Sequence, residues 1–326
     1  MAQQHENCPI LLSVIREFGN CAEGLAQDCI LTRVTTCSPK FGYRVFNSEN
    51  AFKTYNDQVG CYSQVHEIEC DTSSLVYDRV KTYALEKRIC HDDLQEQQCF
   101  TDPLRRIDLE SRALNSILNS LRLKKEIRIW QDATNPANFT TGNLTSWSGR
   151  ELDAPGSTTN PLFEIRDIIA GMPSGSRPNW AVIPRAVQEK LIRHPAFFGE
   201  GCCNVLNPLD VVTSMLGLTG ICVADAQADF SAIGLPADVQ NIFPNSILLY
   251  RRNDSFTDTE CPAGTFAFEA VYRPFQAASE FRVYRLSGTE QNWDMGLDGG
   301  LRIKAGYSSA IKYNYDLAHL ITDVCI

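Results

Sequence analysis

The chain has 326 residues, a formal net charge of −9, 44% apolar residues and 21% charged residues. This describes a folded protein, and the acidic balance excludes a surface built to grip nucleic acid tightly. No apolar run approaches the roughly eighteen residues of a membrane span, and Gln3, Gln4, His5, Glu6 and Asn7 lack the character of a secretory signal. The Asn-x-Ser/Thr sequons at Asn138, Asn143 and Asn253 therefore carry no weight.

Residues 1–40 hold one short helical pattern around Leu11–Phe18, then mixed segments closed by Pro39 and Gly42. They show no compact core and read as an arm lying on something else. From Phe41 to Val80 the pattern turns extended, with Tyr43, Val45, Phe46, Tyr55, Val59, Tyr62, Val65 and Ile68 among polar residues. Asn47, Asn50, Asn56, Asp57 and Gly60 supply turns, so a long two-stranded ribbon is the simplest structure. Such a ribbon is barely stable alone and must rest on a neighbour or on the body of the protein. A short helical segment is expected at Tyr77–Arg88.

The segment from Asp102 to about Thr134 then predicts a long helix. Asp102 is a good N-cap, Pro103 occupies the first helical position, and Leu104, Ile107, Leu114, Ile117, Leu118 and Leu121 recur at helical spacing. Thirty-odd residues make a rod of roughly 45 Å, several times the usual helix length, which marks it as a strut for lobes on either side.

Phe139–Trp147 reads as a strand, Pro161–Ala170 as a helix with Leu162, Ile165, Ile168 and Ile169 inward, and Asn179–Ile183 as a buried strand. Helices at Ala186–Arg193 and 208–216 follow, then strands at Ile221–Val223, Ile247–Tyr250, Phe266–Tyr272, Phe281–Leu286, Leu301–Ile303 and Ala310–Tyr315. Strands and helices mix without a regular βαβ rhythm, which gives an α+β fold.

Thirteen cysteines include eight before residue 100, without CxxC, CxxH or HExxH spacing for a structural zinc site. They are expected to be small buried hydrophobes. The alternative is cross-linking of neighbouring chains through Cys8, Cys21, Cys29, Cys37, Cys61 or Cys70.

No constellation points to catalysis. Gly296, Gly299 and Gly300 precede a strand rather than follow one, and Ser174 in Gly171–Gly175 sits one position too late for a nucleophile elbow. His5, His66, His91, His194 and His319 are scattered; Cys90–His91 lies in a polar linker, and His194 suits a helix C-terminus. No catalytic, cofactor-binding or metal residue is assigned, and no enzymatic activity is expected.

Several short stretches in a fixed order carry a resemblance. They are Tyr83-Ala84-Leu85-Glu86; Trp147 followed by Pro161; Pro178-Asn179-Trp180-Ala181-Val182-Ile183-Pro184 with Val187, Leu191, His194 and Pro195; Leu216-Gly217-Leu218; Ile221 to Ala226; Ile247 to Tyr250; and Ala305-Gly306-Tyr307. From about residue 41 onward the chain resembles the major capsid proteins of tailed bacteriophages, which share the Hong Kong 97 fold.

The resemblance implies an N-terminal arm at 1–40, an extended E-loop hairpin at 41–80 and a peripheral domain at 81–154 with its spine helix at 102–134. A compact axial domain at 155–265 and return strands at 266–326 complete the division. It further implies self-assembly into pentamers and hexamers of an icosahedral shell around double-stranded DNA, made in the host bacterial cytoplasm and located in the virion. Expected partners are further copies of the chain, a portal, cement proteins and a scaffolding protein; contact with packaged DNA would be weak and non-specific, and no membrane is involved. Pro9, Gly19, Gly24 and Pro39 forbid one long scaffolding helix at the N-terminus, so the scaffold is expected to be separate and the mature chain to begin at Met1 or Ala2. An encapsulin-like compartment shell is the alternative of the same fold, and a cytosolic hydrolase the alternative from another class.

Overall fold

A computed structural model of the chain describes residues 26–46, 73–90, 93–94, 109–148, 160–193, 208–231, 235–253, 264–273, 280–288 and 300–324. Chain order begins with α1 (Gln27–Ile30), β1 (Leu31–Thr36), β2 (Lys40–Phe46), β3 (Ser73–Arg79), β4 (Lys81–Cys90) and the long helix α2 (Leu109–Ala133). It continues with β5 (Leu144–Ser146), α3 (Pro161–Gly171), β6 (Trp180–Pro184), α4 (Arg185–Arg193), α5 (Pro208–Leu216) and β7 (Gly220–Ala224). The strands β8 (Gln227–Asp229), β9 (Val239–Asn241), β10 (Ile247–Tyr250), β11 (Ala267–Tyr272), β12 (Arg282–Gly288), β13 (Gly300–Tyr313) and β14 (Ala318–Thr322) complete it.

Helix α2 has the apolar face that its spacing predicts: Leu114, Ile117, Leu118 and Leu121 are buried. They pack on Ile89 of β4 and on Leu301, Ile303, Ala305 and Tyr307 of β13. The expected first turns, with Leu104 and Ile107, lie outside the described residues. At the other end carbonyls of the last turns accept additional bonds from side-chain hydroxyls. Tyr313 Oη donates to Ile129 O at 3.2 Å, Thr134 Oγ1 to Trp130 O at 2.6 Å, and Tyr315 Oη to Asp132 O at 3.0 Å. Tyr313 at the end of β13 and Tyr315 just after it thus tie this part of the chain to the last turns of the helix.

The first sheet runs β1-β11-β13-β12, with β4 also paired to β13. All its pairs are antiparallel except β1 on β11. Two expectations are corrected here. Tyr77–Arg88 is not helical: β4 pairs with β13 from Lys81↔Ser309 to Cys90↔Gly300. Ala84, Leu85, Glu86, Lys87 and Arg88 are good helix formers, but Tyr83, Leu85 and Ile89 alternate onto α2, and that burial overrides the local preference. The two strands expected at Leu301–Ile303 and Ala310–Tyr315 are one, and Gly306 within it is required by a close approach. A Cβ there would sit 2.6 Å from Tyr83 O and 2.8 Å from Ala84 Cβ.

A third correction concerns the N-terminal segment. Residues 26–36 belong to the body of the protein: β1 is a strand of the main sheet, and Ala26, Ile30 and Leu31 are buried with Trp130, Phe243 and Tyr250. Glu126, fully buried on α2, accepts from Ala26 N at 2.9 Å, Gln27 N at 3.2 Å and Trp130 Nε1 at 2.6 Å. Burial pushes its carboxyl above the ordinary glutamate value, against the pull of those donors.

The second sheet has the order β5-β14-β10-β6-β7. Strand β10 is covered on both faces, which explains its uninterrupted apolar sequence: Leu248 and Tyr250 face the core shared with Trp130, while Ile247 and Leu249 face α3, α4 and α5. Helix α5 ends on Gly217, whose φ of +70° allows Leu218 N to reach back to Thr213 O at 3.0 Å. The strand expected over Phe139–Trp147 is reduced to β5 by a 3-10 turn at Thr141–Asn143. Strand β14 had no counterpart in the sequence reading.

Between α2 and the first sheet lies a buried ionic cluster. Lys125 Nζ is 2.7 Å from Glu269 on β11 and 2.8 Å from Glu280, and Arg33 on β1 approaches the same carboxylates at 3.5 and 3.7 Å. Replacing Lys125 with Met leaves two buried carboxylates with only the more distant Arg33, so a loss of about 3–5 kcal/mol in denaturant unfolding is expected. Leu118→Asp is expected to cost a similar amount, about 3–5 kcal/mol, and to abolish soluble yield.

The cluster also sets an acid response. Burial raises the Glu280 carboxyl, but Lys125 and Arg33 prevail and hold it below the ordinary value of 4.5. A depressed carboxyl contributes stability above its unfolded-state pKa and loses it as pH falls through the folded one. The melting temperature should therefore drop below about pH 4.5, and Glu280→Gln should flatten that drop.

Candidate assembly surface

The ribbon predicted from residues 41–80 is present at its root. β2 and β3 pair antiparallel from Lys40↔Arg79 to Phe46↔Ser73, and Val80 N donates to Pro39 O at 3.0 Å. Residues 47–72 lie outside the described residues. The root touches the body through few groups. The Tyr43 ring lies 5.3 Å from that of Phe268, Lys312 Nζ sits 5.9 Å above Tyr43, and Lys312 pairs with Asp78. Val76 and Tyr77 are exposed, Tyr77 at 76% of its free surface.

Other large apolar side chains are exposed at three further places: Phe163 and Met215 on α3 and α5; Phe230, Leu235 and Val239 around the β8–β9 hairpin; Tyr284 and Leu286 on β12. The hairpin loop is shaped by Asp229 Oδ1, which accepts from Ser231 N at 2.9 Å and Asp238 N at 3.0 Å. Those bonds, the Ser231 amide first, hold its carboxyl below the usual range. These exposed side chains are spread over several elements rather than gathered in one cleft.

The residues weighed for chemistry do not converge. His319 is buried, bonded to Thr145 Oγ1 at 2.9 Å, and burial pushes its pKa down to about 4. His5, His66, His91 and His194 lie outside the described residues, and residues 172–175 form the bend after α3. Among the described residues, no group of three His, Cys, Asp or Glu could hold a metal ion. Among the same residues, no helix is long and apolar enough to cross a membrane. Four cysteines depart from the expected buried free thiols: Cys29 and Cys222 form a disulfide, and Cys37 and Cys90 are exposed and free.

No family model and no curated protein matches the sequence. Solved structures do match the fold. A phage-related protein from Bordetella bronchiseptica RB50 superposes with a TM-score of 0.68 at 16% identity, over 99% of each chain. The putative capsid protein of a prophage from E. coli CFT073 superposes at 0.52 with 10% identity, over 98% of this chain and 99% of that one. The chain has the fold of phage capsid proteins. The SrpI encapsulin of Synechococcus elongatus PCC 7942 matches at 0.50 with 10% identity, over 92% and 89% of the two chains, no better than the phage proteins. These likenesses cover nearly the whole chain, including the ribbon root and the long helix.

The sequence missed what fixes the root, because Tyr43, Asp78 and Lys312 are far apart in the chain and none stands in a motif. An ion pair as exposed as Lys312–Asp78 contributes at most about 1 kcal/mol. Lys312→Met should thus leave global unfolding nearly unchanged, while hydrogen exchange at the β2 and β3 amides accelerates.

Proposed function

We propose that this chain is the major capsid protein of a tailed bacteriophage, of the Hong Kong 97 type, forming pentamers and hexamers of an icosahedral shell around double-stranded DNA. The observation that carries this reading is a capsid-protein fold along nearly the whole chain, joined to a two-stranded ribbon root that meets the body, among the described residues, through Tyr43 and Asp78. A two-stranded ribbon is marginal in water, so its stable place is on a neighbouring copy. Exposed Tyr77, Phe163, Phe230 and Leu235 then become contacts between subunits. In this reading 41–80 is the E-loop, α2 the spine of a peripheral domain, and the second sheet with α3, α4 and α5 the axial domain. The acidic chain suits a lining that does not retain DNA. The role is structural and non-enzymatic, in the virion, with assembly in the host cytoplasm alongside a separate scaffold, a portal and cement proteins.

Electron microscopy of the chain expressed with its neighbouring phage genes tests this: closed icosahedral particles containing nuclease-protected DNA are expected. Particles holding a protein cargo and no nucleic acid would instead indicate a compartment shell, and a monodisperse monomer under all conditions would overturn both. Replacing residues 47–72 with a two-residue turn should leave the circular dichroism close to wild type and abolish closed particles.

A further inference from the structure

Cys29 and Cys222 lie 193 residues apart in sequence, with Cα atoms 6.4 Å apart. Cys29 is half-buried in α1, and Cys222 is buried in β7, the edge strand of the second sheet. Each is held by contacts that do not involve the bond between them. Cys29 N donates to Ala26 O at 3.1 Å, and Cys29 O accepts from Tyr250 Oη at 2.9 Å and from Arg252 Nη1 at 2.5 Å. The two residues before Asp28 are fixed to Glu126 through Ala26 N and Gln27 N. Cys222 is registered against Val182 within the sheet. The backbone thus presents the two sulfurs to one another at a separation a disulfide can span.

We propose that this pair is a redox lock that closes after folding: the subunit folds and assembles as the dithiol, and the bond forms when the particle meets an oxidising medium. The timing relative to assembly rests on the shell reading; the lock itself does not. A bacterial cytoplasm keeps thiols reduced, which fits a fold whose other contacts are complete without the bond. The oxidant is a low-molecular-weight disulfide, such as oxidised glutathione. The Cys29 thiolate attacks one of its sulfurs and expels one thiolate, leaving a mixed disulfide on Cys29. The Cys222 thiolate then attacks Cys29 Sγ and expels the second. Two protein thiols give up two protons and two electrons, and the small disulfide becomes two thiols. Exposure sets the order, because Cys29 is reachable from solvent and Cys222 is not. Closure joins the N-terminal segment covalently to the second sheet, so neither separates from the other on unfolding.

The test starts from chain purified and assembled under reductant, then split between reductant and oxidised glutathione. Expected results are native circular dichroism in both samples and a melting temperature roughly 5–10 °C higher after oxidation. Cys29→Ser and Cys222→Ser should each match the reduced wild type and lose the redox response, which separates this bond from the other eleven cysteines. Peptide mass spectrometry should find a glutathione adduct on Cys29 in Cys222→Ser, and far less on Cys222 in Cys29→Ser. A chain that fails to fold under reductant, an unchanged melting temperature, or a reversed adduct pattern would overturn the lock. Particles that form only after oxidation would overturn its timing. Failure to form particles in either state would count against the shell reading, with the melting shift still deciding the lock.

Discussion

The buried carboxylate of Glu126 is the contact on which the arrangement of the chain depends. It accepts two backbone amides from the start of α1 and the indole N–H of Trp130, one turn along its own helix. A buried carboxylate is costly unless its oxygens are satisfied, so these three donors leave the N-terminal segment little choice of position. From that fixed point β1 enters the first sheet beside β11, and Cys29 turns toward the second. The same end of α2 packs against both sheets through Ile129 and Trp130. Helix, N-terminal segment and two sheets are thereby one connected core, and the ribbon is the part left outside it.

Much of this was legible in the sequence, and the exceptions have identifiable causes. The helical stripe of Leu114, Ile117, Leu118 and Leu121 and the apolar run of Ile247–Tyr250 state their structure locally, because one face or both faces are buried by apolar residues alone. Lys125 and Glu126 interrupt the stripe, and nothing in their surroundings signals that both are buried against groups far away in sequence, 100 residues for Ala26 and 144 for Glu269. Strand β4 was hidden by its helix-forming composition, and its identity depends on β13, whose residues come two hundred positions later. Strand β1 was missed for the same reason, since its partner β11 is equally remote. The disulfide escaped notice because thirteen cysteines offer too many pairings for spacing to choose among.

The candidate surface was legible in a different way. An extended segment with turns and no core of its own reads as a ribbon, and β2 and β3 pair at its root, with Val76 and Tyr77 exposed. The places where apolar side chains emerge from α3, α5, β12 and the β8–β9 hairpin were not legible. An exposed Phe163 has the same neighbours in sequence as a buried one, and only the packed helix shows which side faces out.

The long strand β13 and the short strand β14 have a consequence for how the chain is made. β13 is paired with β4, β11 and β12, and β14 joins β5 to β10, so both sheets are incomplete until residues 300–322 exist. Pairings across such sequence distances close slowly and late. During synthesis, the ribbon and the long helix are made well before the sheet that anchors them. A ribosome-bound or truncated chain therefore lacks the finished sheets on which the long helix packs. Order of synthesis thus withholds both finished sheets until the last strands of the chain are made, a constraint that topology alone imposes.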